Sequence, residues 1–358
     1  MPKKRYRAQI TRDERRRVLK LGAAGLASAT LLPACDALEL PELELLVQLP
    51  DIVSNEDFYI QSAFGTPELD PQTHIFRLLA EGQELASIDL AYLQTLEARD
   101  REHTMQCIGA NPRFLFIGNA VWSGLPFFEI LDDLGVTPPS SAEWMKITGA
   151  DGYATGLPVG DIEGSNGADP LWLVWKMNGE DIPSAHGAPF RFLTPGRYGT
   201  KNPKWPSELD FVPDEFIGHW EERGWSQEAT YRTNALILSP PTLALVGAGT
   251  VAILGSAFSG HTPITAVDVT LDGGATWEPA EITYGPGLSE TAPDMSDRNA
   301  VPHIWTTWRY DWLLEEPGAY VIQVRATDAD GNTTSLDPDG TDRFGGYNAG
   351  MEISVGVT

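Results

Sequence analysis

Residues 185–205 read AHGAPFRFLTPGRYGTKNPKW and gather basic side chains on a run rich in glycine and proline. Arg191, Arg197, Lys201 and Lys204 lie close together in a chain whose formal net charge is −25. A cationic loop in so acidic a protein is typical of a site for one particular anion, because Arg offers a forked donor and glycine lets backbone N–H groups approach. From charge alone, a solvated loop whose cations pair with nearby carboxylates explains the pattern equally well.

A second stretch, TMQCIGANPR at residues 104–113, contains Cys107, one of two cysteines in the chain. The other, Cys35, lies in an N-terminal leader, so Cys107 has no intramolecular disulfide partner. The residues alone leave three interpretations of this thiol open, namely a small buried hydrophobe, a nucleophile and a metal ligand. The chain contains neither a CxxCH haem-attachment motif nor an HExxH zinc motif.

The first 35 residues differ in composition from the rest. The basic run RRRVLK at residues 15–20 precedes the apolar run LGAAGLASATLL at residues 21–32, which is too short to span a bilayer and is typical of an export signal. The basic run resembles a twin-arginine signal, and Leu-Pro-Ala-Cys at residues 32–35 resembles a lipobox. We therefore predict export to the periplasm or the cell surface, with a lipid anchor to the membrane at Cys35. A basic tail before an amphipathic helix is the alternative.

Beyond the leader, the pattern of apolar and polar residues divides the sequence into a tether at residues 36–54 and two domains. Residues 55–234 mix apolar runs with helix-like segments such as SIDLAYLQTLEA at residues 87–98, which predicts an α+β domain. Residues 235–358 carry short runs with period-two alternation, separated by turns such as Asp272-Gly273-Gly274 and Asp330-Gly331-Asn332. This pattern predicts an immunoglobulin-like β-sandwich.

Several motifs in order resemble the sulfite oxidase family of molybdenum enzymes. Cys107 followed by Gly109 and Arg113 resembles the family's cysteine segment, with Ala110 as an insertion. The other resembling stretches are AVWSG at residues 120–124, WKMNGEDIPSAHGAPFR at residues 175–191, PGRYGTKNPKW at residues 195–205, ITAVDVTLDGGATW at residues 264–277, RATDADGNTT at residues 325–334 and GGYNAG at residues 345–350. The last three resemble the family's C-terminal dimerisation domain.

The resemblance implies a sulfite-oxidase-type molybdopterin-binding domain followed by the immunoglobulin-like domain, and it assigns roles to named residues. Cys107 is expected to bind molybdenum as a thiolate, and a soft thiolate suits a redox metal. Arg113 and Trp225 are expected beside the substrate. The residues expected to hold the molybdopterin cofactor are Asp151, His186, Arg191, Lys201, Asn202 and Lys204.

The function implied is that of an exported molybdenum-cofactor oxidoreductase that transfers an oxygen atom in a two-electron reaction, on sulfite or a related sulfur substrate. No haem is expected in this chain, so electrons are expected to pass to an external acceptor such as a c-type cytochrome. The dimerisation domain implies a homodimer. Nucleic acid is a poor partner for a chain of net charge −25, because phosphates and carboxylates repel each other.

Two features of the expected substrate site depart from the family pattern. Gln61 and Ser62 stand where the family carries an arginine-containing segment, and Trp225 stands in place of an active-site tyrosine. Together the two changes predict a less cationic and more apolar pocket than a sulfite dianion favours. The alternatives are therefore a sulfoxide-type reductase of the same fold and a non-catalytic surface lipoprotein that kept the fold.

Overall fold

The structure is a computed structural model that describes residues 52–110, 116–164, 169–260, 262–284, 303–314, 316–335, 345–346 and 350–358. The predicted export signal and lipidation site at residues 1–35 lie outside the described residues, as does most of the tether at residues 36–54. Arg113 also lies outside them. These predictions therefore stay predictions.

Strands form most of the regular structure in the described residues. The strands of the N-terminal part are β1 (Phe76–Ala80), β2 (Gln83–Ile88), β3 (Arg99–Gln106), β4 (Ile117–Pro126), β5 (Trp144–Gly149), β6 (Ala154–Pro158), β7 (Trp172–Met177), β8 (Glu180–Asp181), β9 (Arg191–Leu193) and β10 (Pro206–Val212). The strands of the C-terminal part are β11 (Asn234–Ser239), β12 (Ala244–Val246), β13 (Gly249–Phe258), β14 (Ile264–Thr270), β15 (Glu278–Pro279), β16 (Glu281–Tyr284), β17 (Thr306–Leu314), β18 (Gly318–Asp328) and β19 (Glu352–Val357).

Two sheets build the N-terminal part. One has the order β2-β1-β10-β5-β6, and the other has the order β3-β4-β7-β8 with β9 paired to β7. Strands β1 and β10 run parallel, although about 120 residues of chain separate them, and the long connection supplies the second sheet and the loops. Phe76, Phe127 and Phe192 are fully buried in a core shared by both sheets. The loops after β3, β5 and β9 meet at one cavity.

The C-terminal part also consists of two sheets, which share a second core. Their orders are β11-β13-β17-β16 and β12-β19-β18-β14-β15. Leu236 and Trp308 from the first sheet pack with Val324 and Val355 from the second. The predicted strands are thus present, and the glycines of the predicted turns have positive φ, for example 83° at Gly331, a conformation that glycine tolerates without steric cost.

Helices are few and short in the described residues, and the helix-like segment at residues 87–98 is helical over only part of its length. Helix α1 spans Leu90–Leu93, α2 spans Phe127–Asp133, and Ser87 and Ile88 belong to β2. Asp89 caps α1 by accepting a hydrogen bond of 2.7 Å from the Tyr92 backbone N–H. The apolar spacing in this segment instead places Ile88, Leu90 and Leu93 in the core. Single 3₁₀ turns at Val159–Ile162, Ser184–His186, Gly199–Lys201 and Glu221–Arg223 complete the regular elements.

Membrane-spanning helices were sought in the described residues. None of the helices there has both the length and the apolar composition needed to cross a bilayer.

Candidate active site

One cavity of about 940 Å³, open to solvent, brings together most of the residues singled out in the sequence. Its walls come from the segment before β1, the end of β3, and the loops after β5, β9 and β10. The lining residues are Phe58, Tyr59, Gln61, Ser62, Ala63, Met105, Cys107, Ile108, Gly109, Asp151, Tyr153, His186, Arg191, Gly199, Thr200, Asn202, Pro203, Lys204, Trp205, Trp220 and Trp225.

Cys107 is a free cysteine at the point where β3 ends. Its backbone N–H donates to the Phe116 carbonyl at 2.9 Å, and its carbonyl accepts from the Ala110 N–H at 2.9 Å, so a tight turn fixes the thiol on the cavity wall. Burial raises the pKa of the Cys107 thiol to about 11, although a hydrogen bond from the Gly109 backbone partly opposes this. The thiol is therefore protonated at neutral pH until a cation binds it, because a bound metal ion deprotonates a coordinating thiol.

Arg191 forms the floor of one end of the cavity and is almost fully buried. Its guanidinium donates to the His186 carbonyl at 2.8 Å and the Asn202 carbonyl at 3.1 Å, and it lies 5.1 Å from the centroid of the Trp122 ring. The Arg191 Nε has no hydrogen-bond partner although it is buried. Burial lowers the pKa of Arg191 to about 10, so the guanidinium remains charged at neutral pH.

Lys204 lies beside Arg191 and is held by neutral groups. Its ammonium donates to the Ala185 carbonyl at 2.9 Å and lies 4.2 Å from the centroid of the Trp205 ring. Burial, and then the charge of Arg191, lower the pKa of Lys204 to about 7, whereas Asp151 raises it. Among the described residues, no carboxylate lies within ion-pair distance of Lys204 or Arg191.

His186 lies behind this pair of cations and is neutral. Its Nε2 donates to the Asn55 carbonyl at 2.9 Å, since a carbonyl oxygen can only accept. Burial is the largest of the effects that lower the pKa of His186 to about 4, and Arg191 and Lys204 add to it. We refer to Arg191, Lys204 and His186 as the cationic end of the cavity. Its two unneutralised cations and the orphaned Arg191 Nε fit an anionic group such as the phosphate of a molybdopterin.

Asn202 and Asp151 also line the cavity, as the sequence predicted. The Asn202 amide is committed to its own loop, because it accepts from the Thr194 N–H at 2.7 Å and donates to the Tyr198 carbonyl at 3.0 Å. Asp151 accepts from the Tyr153 N–H at 3.0 Å, and burial raises the pKa of its carboxyl group. Asn202 therefore shapes the cationic end, while Asp151 is the carboxylate whose field acts on Lys204.

Lys201 is the predicted cofactor contact that the structure places elsewhere. It is fully buried and is not among the residues that line the cavity. Its ammonium forms an ion pair with Glu221 and donates to the Thr155 hydroxyl at 3.2 Å and the Gly156 carbonyl at 3.0 Å. These partners on β6 and at Glu221 satisfy the ammonium inside the protein, and the predicted contact of Lys201 with the cofactor stays a prediction.

The opposite end of the cavity, next to Cys107, is aromatic. An ideal Cβ placed on Gly109 would lie 3.6 Å from Trp225 Cη2 and 3.9 Å from Cys107 Sγ, so the indole and the thiol flank the same glycine. Gln61 and Ser62, predicted to replace the family's arginine segment, line the cavity as well. We refer to this region as the aromatic end.

Sequence reasoning missed two tyrosines on the cavity wall. Tyr59 and Tyr153 both line the cavity, and Tyr153 donates from its hydroxyl to the Thr200 carbonyl at 2.6 Å. Burial holds the pKa of both phenols well above the usual value, so both are neutral donors. Their positions, two residues before Gln61 and two after Asp151, were the available signal.

Comparisons with known proteins agree with this architecture. The family model described as "Oxidoreductase molybdopterin binding domain" matches residues 63–220, and the one described as "Mo-co oxidoreductase dimerisation domain" matches residues 227–339. Mitochondrial sulfite oxidases of Mus musculus and Homo sapiens are each 28% identical over 279 residues, covering 68% of this chain and 51% of theirs. The chain thus spans about half the length of these curated relatives.

A solved structure shares the fold. The sulfane dehydrogenase SoxCD from Paracoccus pantotrophus superposes with a TM-score of 0.70 at 21% identity, covering 86% of this chain and 81% of that chain.

The two matched models define the class, that of proteins with a molybdopterin-binding oxidoreductase domain and its dimerisation domain. The chain belongs to the sulfite oxidase family of molybdopterin-dependent oxidoreductases. The predicted family and the predicted molybdenum–molybdopterin cofactor are thereby confirmed.

Proposed function

We propose that this chain catalyses two-electron oxygen-atom transfer on a sulfur substrate, in the manner of a sulfite oxidase, with an immunoglobulin-like C-terminal domain beside the catalytic one. The observation that carries this proposal is the pairing, in one cavity, of an unpaired thiol at Cys107 with the unneutralised cations Arg191 and Lys204. The bound cofactor supplies the exchange of two electrons and an oxygen atom at molybdenum.

The protein's own residues bind and orient. Cys107 would bind the metal, and Arg191 and Lys204 would hold the cofactor's anionic group, with the guanidinium fork fixing its direction. Trp225 and Tyr59 line the cavity beside the thiol, and the neutral Tyr59 hydroxyl would donate a hydrogen bond there. Arg113 remains a proposed substrate contact, because it follows Cys107 closely in the sequence.

The direct test measures metal and turnover in protein purified from a host that makes the cofactor. We expect about one molybdenum per chain, and oxidation of sulfite with ferricyanide as the electron acceptor. Folded protein with a molybdenum ratio near zero would sink the proposal and favour the non-catalytic lipoprotein.

A second candidate reaction is the reduction of a sulfoxide. The observation that favours it is the uncharged aromatic end, where Gln61, Ser62 and Trp225 line the cavity. A neutral substrate needs no counter-charge there, whereas a dianion loses its hydration on entry. Sulfoxide reduction with a reduced viologen dye, measured on the same preparation as sulfite oxidation, separates the two. Turnover of sulfite alone would eliminate this candidate.

We further propose export, with a lipid anchor at Cys35 and electron transfer to an external one-electron carrier such as a c-type cytochrome. The basic and apolar leader supports export, and the net charge of −25 suits a basic carrier. Replacing Cys35 by Ala is expected to release the protein from the membrane fraction. Reduction of a basic cytochrome c is expected to slow as salt rises. Rates that do not depend on salt would contradict the electrostatic part.

A homodimer is the remaining proposal, with the outer face of β12 as its contact. Leu243 and Leu245 are 80% and 77% exposed, and Leu245 pairs in register with Gly356 of β19. An uncharged apolar patch lets two copies of an acidic chain meet without like-charge repulsion. Light scattering is expected to show a dimer that L245E converts to monomer. L313E, at a leucine 62% exposed on the other sheet, is the matched control and should remain dimeric.

A further inference from the structure

A row of aromatic side chains leads from the aromatic end of the cavity to the protein surface. The Phe64 ring centroid lies 4.7 Å from that of His219, His219 lies 4.9 Å from Trp220, and Trp220 lies 6.3 Å from Trp225. Adjacent rings meet at 71° to 84°, edge to face. We call these four residues the aromatic ledge. Edge-to-face contacts fix the orientation of the rings, so the row forms a surface of defined shape.

One end of the aromatic ledge lies on the cavity wall and the other lies at the protein surface. Trp225 flanks Gly109 together with the Cys107 thiol, and both Trp220 and Trp225 line the cavity. At the other end the Phe64 side chain is 54% exposed. Phe64 follows directly after Gln61, Ser62 and Ala63, which also line the cavity. The ledge therefore continues the cavity wall outward and ends in solvent.

The aromatic ledge carries no charge at neutral pH. Its one titratable member is His219, whose pKa is lowered by burial and then by Arg223, against the opposing fields of Glu222, Glu221 and Asp151. Arg223 and Glu222 lie 3.8 Å apart and offset each other. The chain as a whole, with a formal charge of −25, repels small anions. A neutral apolar group meets no such barrier and gains by leaving water.

We propose that the aromatic ledge is a binding subsite for an uncharged alkyl or aryl arm of an organic sulfur substrate whose sulfur lies beside Cys107. This deepens the proposed function and rests on it, since the substrate is one that exchanges oxygen at the cofactor. In the reducing direction one turnover is R₂SO + 2 H⁺ + 2 e⁻ → R₂S + H₂O. The S–O bond breaks, the sulfur is reduced, the oxygen leaves as water, and two equivalents of a one-electron donor supply the electrons.

Two substrates with the same reacting group and different arms test the subsite. Dimethyl sulfoxide and methyl phenyl sulfoxide are compared on the holoprotein with reduced benzyl viologen as donor. We expect kcat/KM to favour the phenyl compound by at least about tenfold, since burying one aromatic ring against the ledge is worth that much. Phe64→Ser should lower this ratio about threefold or more, and Trp220→Ala should lower it further. Leu85 is 44% exposed and lies outside the cavity, so Leu85→Ser should leave kcat/KM for both sulfoxides unchanged.

A binding measurement separates the subsite from the reaction. Dissociation constants of the two sulfoxides for the same holoprotein, from ligand-observed NMR titration, should show the same preference for phenyl and the same loss in Phe64→Ser. Preferential binding without turnover would refute sulfoxide reduction and leave the subsite standing. Turnover with a ratio near one, or a ratio unchanged by both Phe64→Ser and Trp220→Ala, would overturn the subsite and leave the proposed function intact.

Discussion

The two ends of the cavity bury different kinds of group, cations at one end and a thiol at the other. At the cationic end, Arg191 and Lys204 keep charged groups out of water without a carboxylate partner, at the cost of lowered pKa values near 10 and 7. At the aromatic end, Trp225 and Tyr59 surround a thiol whose pKa rises to about 11. The first arrangement lacks an anion and the second lacks a cation. A bound group with an anionic tail and a metal head satisfies both at once.

The largest expected effect is at Cys107. Loss of a residue that only hydrogen-bonds to a metal ligand lowers activity about 10–100-fold. Cys107→Ser should lower turnover by more than that, because a hydroxyl binds a soft metal far more weakly than a thiolate does. The cationic end is untouched, so extracted pterin should stay close to one per chain. Pterin fluorescence and steady-state rates measured on the same samples check this. Full turnover in the variant would show that Cys107 is not the ligand.

Lys201 and Lys204 lie three residues apart and should differ in what they contribute to stability. Lys201→Met leaves the buried Glu221 without its partner and should cost about 3–5 kcal/mol of stability. Lys204 donates to a backbone carbonyl and has no carboxylate partner among the described residues, so Lys204→Met should cost much less. Thermal unfolding of the cofactor-free proteins measures both. Equal losses for the two variants would mean that the Lys201–Glu221 pair contributes no more to stability than the contacts of Lys204.

That contrast also shows what the sequence could and could not predict. Cys107, His186, Arg191 and Lys204 were recognisable because each occupies a fixed place in a local motif. Lys201 sits in the same motif, but its role depends on Glu221, which the chain brings back only after β10. The helix-like segment at residues 87–98 is shortened for a similar reason, because Ser87 and Ile88 pair with β1, a contact that local spacing does not show.

The third prediction concerns Arg191. Arg191→Ala removes the guanidinium fork from the cationic end and should lower cofactor retention about 10–100-fold, because charge-assisted bonds to an anion are lost. Arg197→Ala is the matched control, since Arg197 lies on the same loop but forms an ion pair with Asp161 at 2.9 Å. Cofactor per chain after dialysis distinguishes them. The assignment fails if both variants retain the cofactor equally.

The smallest expected effect is a pH dependence set by Lys204. Its pKa is about 7 in the cofactor-free cavity, and a bound anion raises it, because the opposite charge favours the ammonium. Below pH 7 the ammonium is already present and affinity is independent of this group. Above pH 7 binding must take up a proton, so affinity should fall by up to tenfold per pH unit until the pKa of the bound state is reached.

Cofactor dissociation constants between pH 6 and pH 9 measure this slope. Lys204→Met should bind more weakly and lose the slope, and Lys204→Arg, charged throughout the range, should keep affinity without the slope. The Asp151 carboxylate raises the pKa of Lys204, and burial raises the pKa of Asp151 itself from its ordinary value of 3.8. Asp151→Asn should therefore shift the onset of the slope to lower pH and leave its steepness unchanged. A wild-type profile that is flat above pH 7 would show that the Lys204 ammonium does not contact the anion.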